Sequence, residues 1–146
     1  MQTFLPYPDF RKSVQCLDYK RLSRQRPEAL QILRTLEKMK IEMPKGKIAG
    51  WTKHPAVLMW QGYEDALKWY YNEAVSEWVA RGFNNTMELI PVDITKVQLP
   101  PWIGDEKFHA SHRSNLLRKD EIYYSDFDWE ESIFLPYVWP SHAQQT

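Results

Sequence analysis

The segment from Pro55 to Arg81 constrains the fold more than any other part of this chain. It reads PAVLMWQGYEDALKWYYNEAVSEWVAR, and its apolar residues recur at steps of three and four. They are Val57, Trp60, Tyr63, Leu67, Tyr70, Tyr71, Ala74, Val75 and Trp78. A helix with so wide an apolar face must be covered by other elements. Pro55 suits a first helical turn and Gly82 a left-handed terminating residue, so we predict one long, buried helix between them.

Two further helices are predicted. One extends to Met39 from a start at Phe10 or Asp18, and Pro27 inside it should either kink it or begin a second helix. Its apolar face carries Leu22, Ala29, Leu33 and Leu36, widened by Leu30 and Ile32. A shorter helix is predicted from about Ser111 to Ile122, where Leu116 and Leu117 supply the apolar contact.

The remaining segments are rich in proline and glycine. The first ten residues contain Pro6 and Pro8 and should be extended over the body of the protein. Residues 40–51, the long stretch 84–108 and the tail FLPYVWPSH are predicted to be irregular. Signals for β-strands are few. We therefore predict a mostly-α, compact single domain over residues 1–146, with about three main helices and long ordered loops.

The chain has 146 residues and one cysteine, Cys16, so it contains no intrachain disulfide. We expect Cys16 to be a small buried apolar residue and the protein to be cytoplasmic. No apolar run approaches the roughly 20 residues of a membrane span. The amino-terminal residues MQTFLPYPDF also lack the basic and apolar regions of a signal peptide.

The charges of the chain are separated along its length. Arg11 to Lys53 contains twelve basic and four acidic residues, a net +8, while the remainder contains seven basic and fifteen acidic residues, a net −8. A phosphate backbone responds to the local patch more than to the total charge, which is zero. The basic block therefore raises nucleic acid as a candidate partner, against the simpler interpretation of a solvated surface.

Metal and phosphate-loop chemistry are not indicated. His109 and His112 have the spacing that puts two imidazoles on one helical face, but neither they, His54 nor His142 has a third ligand at a recognisable spacing. Glycine-rich phosphate loops and nucleophile motifs are absent from the sequence. We expect neither a metal nor a cofactor.

The stretch RLSRQRPEAL contains three arginines and one carboxylate, Glu28. On a helix Arg21, Arg24 and Glu28 share one face, because they are separated by three and four positions. One interpretation is an ordinary intrahelical Arg–Glu pair on the surface. The other is a carboxylate that stabilises a developing cation, such as the electron-poor C1′ of a nucleotide whose glycosidic bond is breaking.

A family resemblance favours the second interpretation. The stretches LDYKRLSRQRPEALQIL, GWTKHPAVLMWQGYEDALKWY and RGFN resemble, in this order and spacing, the pyrimidine-dimer DNA glycosylases of the endonuclease V type. MQTFLPYPDF and LPPWIGD…FHASHRSNLLRKD resemble a bacterial branch of that family. The resemblance covers most of the chain. It implies an endonuclease V-like fold without a metal, acting on double-stranded DNA, and we expect a monomer.

The resemblance also implies catalytic roles. In the phage-type enzymes an N-terminal α-amine attacks C1′ to give a Schiff base, a helix-borne glutamate assists, and β-elimination then nicks the strand. Glu28 matches that glutamate, and Met1 would supply the amine. The phage-type nucleophile is a threonine amine exposed by removal of the initiator methionine, whereas residue 2 here is the bulkier Gln2. AP-lyase activity is therefore left open.

The remaining candidate residues are assigned to DNA binding. Arg21, Arg24 and Arg26 should contact phosphates by analogy of position. His54 either caps the following helix or lines the DNA site. We favour phosphate contacts for His109, His112 and Arg113 over the alternative that they satisfy buried backbone carbonyls. Trp51 and Trp102 are either wedges inserted into the base stack or lids on the core.

Two other functions remain compatible with the sequence. The basic face of residues 11–53 could serve a non-catalytic nucleic-acid-binding module, which would need no carboxylate at position 28. The same scaffold could also cleave a different N-glycosidic bond, such as that of a modified base. The interpretation that we favour is a DNA glycosylase acting on a damaged or modified pyrimidine.

Overall fold

A computed structural model describes residues 2–42 and 54–140. Within these ranges the chain is mostly helical and contains no β-strand. The helices are α1 (Phe10–Gln15), α2 (Tyr19–Glu42), α3 (Pro55–Leu58), α4 (Glu64–Ala80), α5 (Glu106–Lys119) and α6 (Glu121–Tyr124). The three longest correspond to the three predicted main helices, and one hydrophobic core joins them. No helix in the described ranges combines the length and apolarity that a bilayer crossing requires.

The first predicted helix is divided at Leu17, not at Pro27. Asp9 caps α1 by accepting a hydrogen bond from the amide of Lys12 at 2.8 Å. After a short turn α2 begins at Tyr19 and continues through Pro27 to Glu42. Of the two alternatives given for Pro27, a kink or the start of a second helix, the second is therefore wrong. Because proline has no amide hydrogen, it cannot bond to the carbonyl of Ser23 one turn earlier.

The second predicted helix is also interrupted. It divides into α3 and α4 around Gly62, whose φ of +88° is readily adopted only by glycine. The apolar stripe continues across the break, since Val57, Trp60 and Tyr70 are all fully buried. The helix ends as predicted, with Gly82 in the left-handed region at φ +86°.

The amino-terminal segment, residues 2–7, is threaded through the interior instead of lying over it. Thr3 and Leu5 are fully buried, and Phe4 is 6% exposed. An extended segment inside a helical protein has no ladder of partners, so side chains must satisfy its backbone groups. They come from the helices: Gln25 and Tyr70 reach Phe4, and His112 accepts from the amide of Leu5 at 2.9 Å.

Helix α5 has a buried polar face that holds two irregular segments. On one side it bonds to residues 2–7. On the other, Ser111 Oγ accepts from the amide of Val138 and Ser114 Oγ from the amide of Leu135, each at 3.1 Å. α5 begins at Glu106, five positions before the predicted start, because Asp105 caps it by accepting from the amide of Lys107 at 3.1 Å.

Candidate active site

One face of α2 opens onto a cavity of about 750 Å³. The amino-terminal segment, the start of α3, the end of α4, the end of α5 and the tail after α6 complete its walls. The lining residues are Gln2, Phe4, Tyr19, Lys20, Arg21, Ser23, Arg24, Gln25, Glu28, His54, Trp78, Lys119, Tyr137 and Trp139. Four of them are lysine or arginine, and Glu28 is the one carboxylate among them.

Glu28 faces the amino-terminal segment. Its Oε2 accepts a hydrogen bond from the backbone amide of Gln2 at 3.4 Å, and the Nε2 of Gln25 lies 3.5 Å away. Within the described residues Glu28 forms no ion pair with an arginine. The intrahelical Arg–Glu pair considered from the sequence is therefore absent, and the half-buried carboxylate remains available at the cavity wall.

The predicted helical face is confirmed, since Arg21, Arg24 and Glu28 line the same cavity. Arg21 is held in position by Asp18, whose Oδ2 lies 3.2 Å from its Nη1. Asp18 is itself buried and also accepts from the hydroxyl of Tyr124. Arg24 is exposed on the same face. The cavity therefore combines one guanidinium fixed by a buried carboxylate with one that is free to approach a phosphate.

Gln25 connects the cavity wall to the amino-terminal segment. Its Nε2 donates to the carbonyl of Gln2 at 3.0 Å, and its Oε1 accepts from the amide of Phe4 at 2.9 Å. The Tyr70 hydroxyl lies 2.6 Å from the same Oε1 and 2.9 Å from the carbonyl oxygen of Phe4. All of these groups except Gln2 are buried, so the segment cannot shift without breaking several hydrogen bonds.

Aromatic rings line the cavity from two directions. Tyr19 and Trp78 come from α2 and α4, and the ring of Phe83 lies 4.3 Å from Trp78 in a stacked arrangement. Tyr137 and Trp139 come from the tail, with ring centroids 5.7 Å apart. Flat apolar rings beside cations suit a site that takes an unstacked base and its phosphates.

His54 caps the following helix, as one of its two predicted roles required, and also lies at the cavity. Its Nδ1 accepts from the amide of Ala56 at 3.0 Å and so caps α3. Its ring also lines the cavity and meets Trp139 edge-on at 6.1 Å. Partial burial lowers the pKa of His54 below its usual value, because desolvation disfavours the charged ring.

The prediction that His109, His112 and Arg113 contact phosphates is corrected by their burial. They are 0%, 1% and 8% exposed. His109 donates through Nδ1 to the carbonyl of Leu5 at 2.7 Å, and Arg113 donates to the carbonyl of Pro6 at 2.7 Å. Arg113 is further paired with Glu131 at 2.6 Å and with Glu106. The alternative role, satisfying buried backbone groups, is the one observed.

The position of Arg26 also differs from the prediction. Its guanidinium carbon lies 4.3 Å from the ring centroid of Trp78, and its Nη1 donates to Asn85 at 3.0 Å. It is not among the residues that line the cavity. Arg26 therefore packs behind the aromatic wall instead of facing the cavity. Trp102 is 5% exposed and donates to the carbonyl of Met59 at 3.1 Å, so it is a lid on the core and not a wedge.

Two predicted residues lie outside the described ranges. They are Met1, the predicted nucleophile, and Trp51.

Among the described residues, no cluster of histidine, cysteine and acidic side chains has the arrangement of a metal site. Cys16 is buried, as expected for a small apolar residue, and burial raises the pKa of its thiol to about 12.

The sequence interpretation did not identify Gln25, Lys119, Tyr137 or Trp139. A signal for Gln25 was present, because it lies three positions after Leu22 and four before Ala29 in an otherwise apolar stripe. A buried polar side chain at such a position requires hydrogen-bond partners. The other three come from segments that approach α2 only in the folded chain, and no local pattern marks them.

A family model described as pyrimidine dimer DNA glycosylase matches residues 1–91. The match includes α1 to α4, and therefore Glu28, Gln25 and the cationic face of α2. It ends before α5 and the tail, which contribute Lys119, Tyr137 and Trp139 to the cavity. No curated protein and no solved structure matches the chain significantly.

Proposed function

Because the chain belongs to the pyrimidine dimer DNA glycosylase family, we propose that its cavity binds a damaged or modified pyrimidine nucleotide of duplex DNA and cleaves the glycosidic bond through the amine of Met1. The observation that carries this proposal is the 3.4 Å contact between Glu28 Oε2 and the amide of Gln2, the residue bonded to Met1. It brings the carboxylate of a cation-lined cavity next to the amino end of the chain.

In the proposed reaction the neutral α-amine attacks C1′ of the sugar. The C1′–N bond breaks, and the base leaves with the electron pair and takes up one proton from the amine. The C1′–O4′ bond then opens as the nitrogen lone pair forms the C=N bond, O4′ takes up a proton from solvent, and a protonated imine results. An α-amine with an ordinary pKa of about 8 is neutral in roughly a tenth of molecules near pH 7, so the nucleophile is accessible there. Glu28 would stabilise the positive charge at C1′ and then at the imine.

An AP-lyase step would follow from the same intermediate. Removal of a proton from C2′ of the imine expels the 3′ phosphate by β-elimination and nicks the strand. Glu28 is the carboxylate available at the cavity wall for that proton transfer. Arg21, Arg24, Lys20 and Lys119 supply positive charge around the site and are the groups proposed to contact phosphates.

Glu28→Gln tests the proposal with a nearly isosteric change. We expect base release and imine formation to fall by at least about a hundredfold, since a positioned acid–base group contributes that much or more. DNA affinity should be unchanged or higher, because a negative charge is removed. Glu37→Gln is the matched control: it makes the same change on α2 at an exposed position outside the cavity.

The measurement is borohydride trapping on duplexes that carry a cyclobutane dimer, an abasic site or a hydroxymethylated pyrimidine. Borohydride reduces the imine to a stable amine, so trapped protein–DNA complexes report the intermediate. If the wild-type protein yields neither an adduct nor a released base on any of the three duplexes, the enzymatic proposal is wrong for those substrates. Binding without chemistry would favour the non-catalytic DNA-binding module, and reaction with the hydroxymethylated base alone would assign the enzyme to modified bases.

A further inference from the structure

We infer that Gln2 and His112 form a positioning pair that holds the amino end of the chain at Glu28. This inference rests on the proposed function, because it concerns the amine proposed there as nucleophile. The carboxamide of Gln2 lies 3.3 Å from Nε2 of His112, a residue of α5 and 110 positions away in sequence. α5 lies beyond the segment that the family model matches.

Gln2 is held from three directions. Glu28 accepts from its amide at 3.4 Å, Gln25 donates to its carbonyl at 3.0 Å, and His112 meets its side chain. The first two contacts fix the position of the backbone, and the third prevents rotation of the whole residue about them. An amine carried by the residue bonded to Gln2 would therefore lose less orientational freedom when it attacks C1′.

The hydrogen bonds of His112 define its state. Its Nδ1 accepts from the amide of Leu5 at 2.9 Å, so Nδ1 carries no proton. The ring is fully buried, and desolvation lowers its pKa to about 3, so it is neutral near pH 7 with its proton on Nε2. His112 therefore presents a fixed donor toward Gln2.

The matching acceptor is the side-chain oxygen of Gln2. Oε1 is buried and has no hydrogen-bond partner among the described residues. A half-turn of the carboxamide brings Oε1 onto the Nε2 proton of His112, which satisfies both groups. A threonine side chain at position 2 would be too short to make this contact. The contact with His112 therefore requires the longer side chain of Gln2.

Two substitutions at position 112 separate catalysis from stability. In His112→Asn, the side-chain oxygen takes the place of Nδ1 and keeps the bond to Leu5, but nothing reaches Gln2. In His112→Gln, the terminal amide takes the place of Nε2 and keeps the contact with Gln2, but the buried amide of Leu5 loses its acceptor. His112→Gln should therefore unfold at a lower temperature than His112→Asn, since a buried donor left without a partner is strongly unfavourable.

The two variants should rank in the opposite order for activity, with His112→Gln the more active. Under single-turnover conditions at saturating DNA, we expect His112→Asn to form the borohydride-trapped adduct about tenfold more slowly than wild type. We expect His112→Gln to react at close to the wild-type rate, with DNA affinity unchanged in both variants. Gln2→Leu should resemble His112→Asn, and the double variant Gln2→Leu/His112→Asn should be no slower than either single variant. Leucine is chosen because it keeps a bulky residue after Met1.

The outcomes separate the two proposals. A slow, stable His112→Asn and a fast, less stable His112→Gln would support the positioning pair. Equal trapping rates in wild type, His112→Asn and Gln2→Leu, or rates that follow stability alone, would overturn the pair and leave the proposed function intact. A wild-type protein that forms no adduct would overturn the proposed function and, with it, the positioning of a catalytic amine. If both variants at position 112 fail to fold, Gln2→Leu alone decides between these results.

Discussion

Helices α2 and α5 both carry clusters of cationic or potentially cationic side chains, yet they use them in opposite ways. On α2, Arg21 and Arg24 face a cavity and have room to meet a phosphate. On α5, His109, His112 and Arg113 are buried, and their hydrogen bonds go to other parts of the chain. A basic motif therefore predicts ligand binding only where its side chains do not already form hydrogen bonds with other parts of the same protein.

The reason for the difference is the amino-terminal segment. Residues 2–7 pass through the interior without a β-sheet partner, so their amides and carbonyls need polar side chains around them. α5 provides these on one side and α2 provides Gln25 on the other. The polar face of α5 thus helps to hold the amino-terminal segment, while Arg21 and Arg24 on α2 line the cavity.

The largest effect on stability should come from Arg113. In Arg113→Ala, the half-buried carboxylate of Glu131 and the carbonyl of Pro6 lose their partner. We expect the free energy of unfolding, measured by urea denaturation, to fall by about 3 kcal/mol. Arg24→Ala should change it by less than about 0.5 kcal/mol, because that side chain is exposed. Similar losses in the two variants would contradict the contrast between the helices.

The pH dependence of the free energy of unfolding should show that His112 is neutral in the folded protein. Its pKa is about 3 in the folded protein against an ordinary 6.5, so below pH 6.5 the unfolded chain binds a proton that the folded chain does not. The contribution of neutral, buried His112 to the free energy of unfolding is complete above pH 6.5. It is lost as the pH falls toward 3, by on the order of 1 kcal/mol per pH unit. His109, whose pKa burial also lowers, should add to this slope.

His112→Asn removes one titrating group and should flatten the slope between pH 6.5 and 4.5. Urea denaturation at intervals of half a pH unit would measure it. His54→Asn is the comparison, because His54 is only partly buried and should contribute less. Parallel stability profiles for wild type and His112→Asn would show that His112 is not kept neutral by burial.

A smaller effect is expected for Arg26. Arg26→Ala removes the contact of the guanidinium with Trp78 and the hydrogen bond to Asn85. We expect about 1 kcal/mol of stability to be lost, as for a partly desolvated cation–π contact. The dependence of DNA affinity on salt should not change. A flatter salt dependence would instead return Arg26 to the DNA-contacting set.

The smallest effect is on DNA affinity in Arg24→Ala. Loss of one phosphate contact should weaken binding to all duplex sequences alike and reduce the slope of log K against log salt by about 0.9. Affinity measured at four or more salt concentrations gives this slope, with Arg26→Ala as the matched loss of one arginine away from the cavity. An unchanged slope for Arg24→Ala would mean that DNA does not bind on this face of α2.

The sequence predicted the face of α2 because local spacing determines it. Residues separated by three and four positions on a helix lie together whatever the rest of the chain does, so Arg21, Arg24 and Glu28 were grouped correctly. A different local signal, a glycine that adopts the left-handed conformation after the last turn, predicted the end of α4, which stops at Ala80 just before Gly82. Local spacing failed at Gly62, where apolar residues continue across a turn and hide the break between α3 and α4.

The errors on α5 arose because burial of a polar face depends on distant partners. Leu116 and Leu117 marked an apolar side, and phosphate contacts were favoured for the histidines over bonds to buried backbone groups. Nothing in the local sequence shows that residues 2–7 pack against that polar side. For the same reason the sequence did not predict that Lys119 and Trp139 join α2 in one cavity.

Mapping of the trapped protein–DNA adduct identifies the reacting amine. After borohydride reduction and nuclease and protease digestion, mass spectrometry identifies the residue that carries the sugar remnant. We expect the sugar remnant on the α-amine of Met1, and we expect the adduct to be greatly reduced in Glu28→Gln. Lys20 and Lys119 also line the cavity and have primary amines. A sugar remnant on either lysine, with Met1 unmodified, would contradict the claim that Glu28 and the amino end together form the reaction centre.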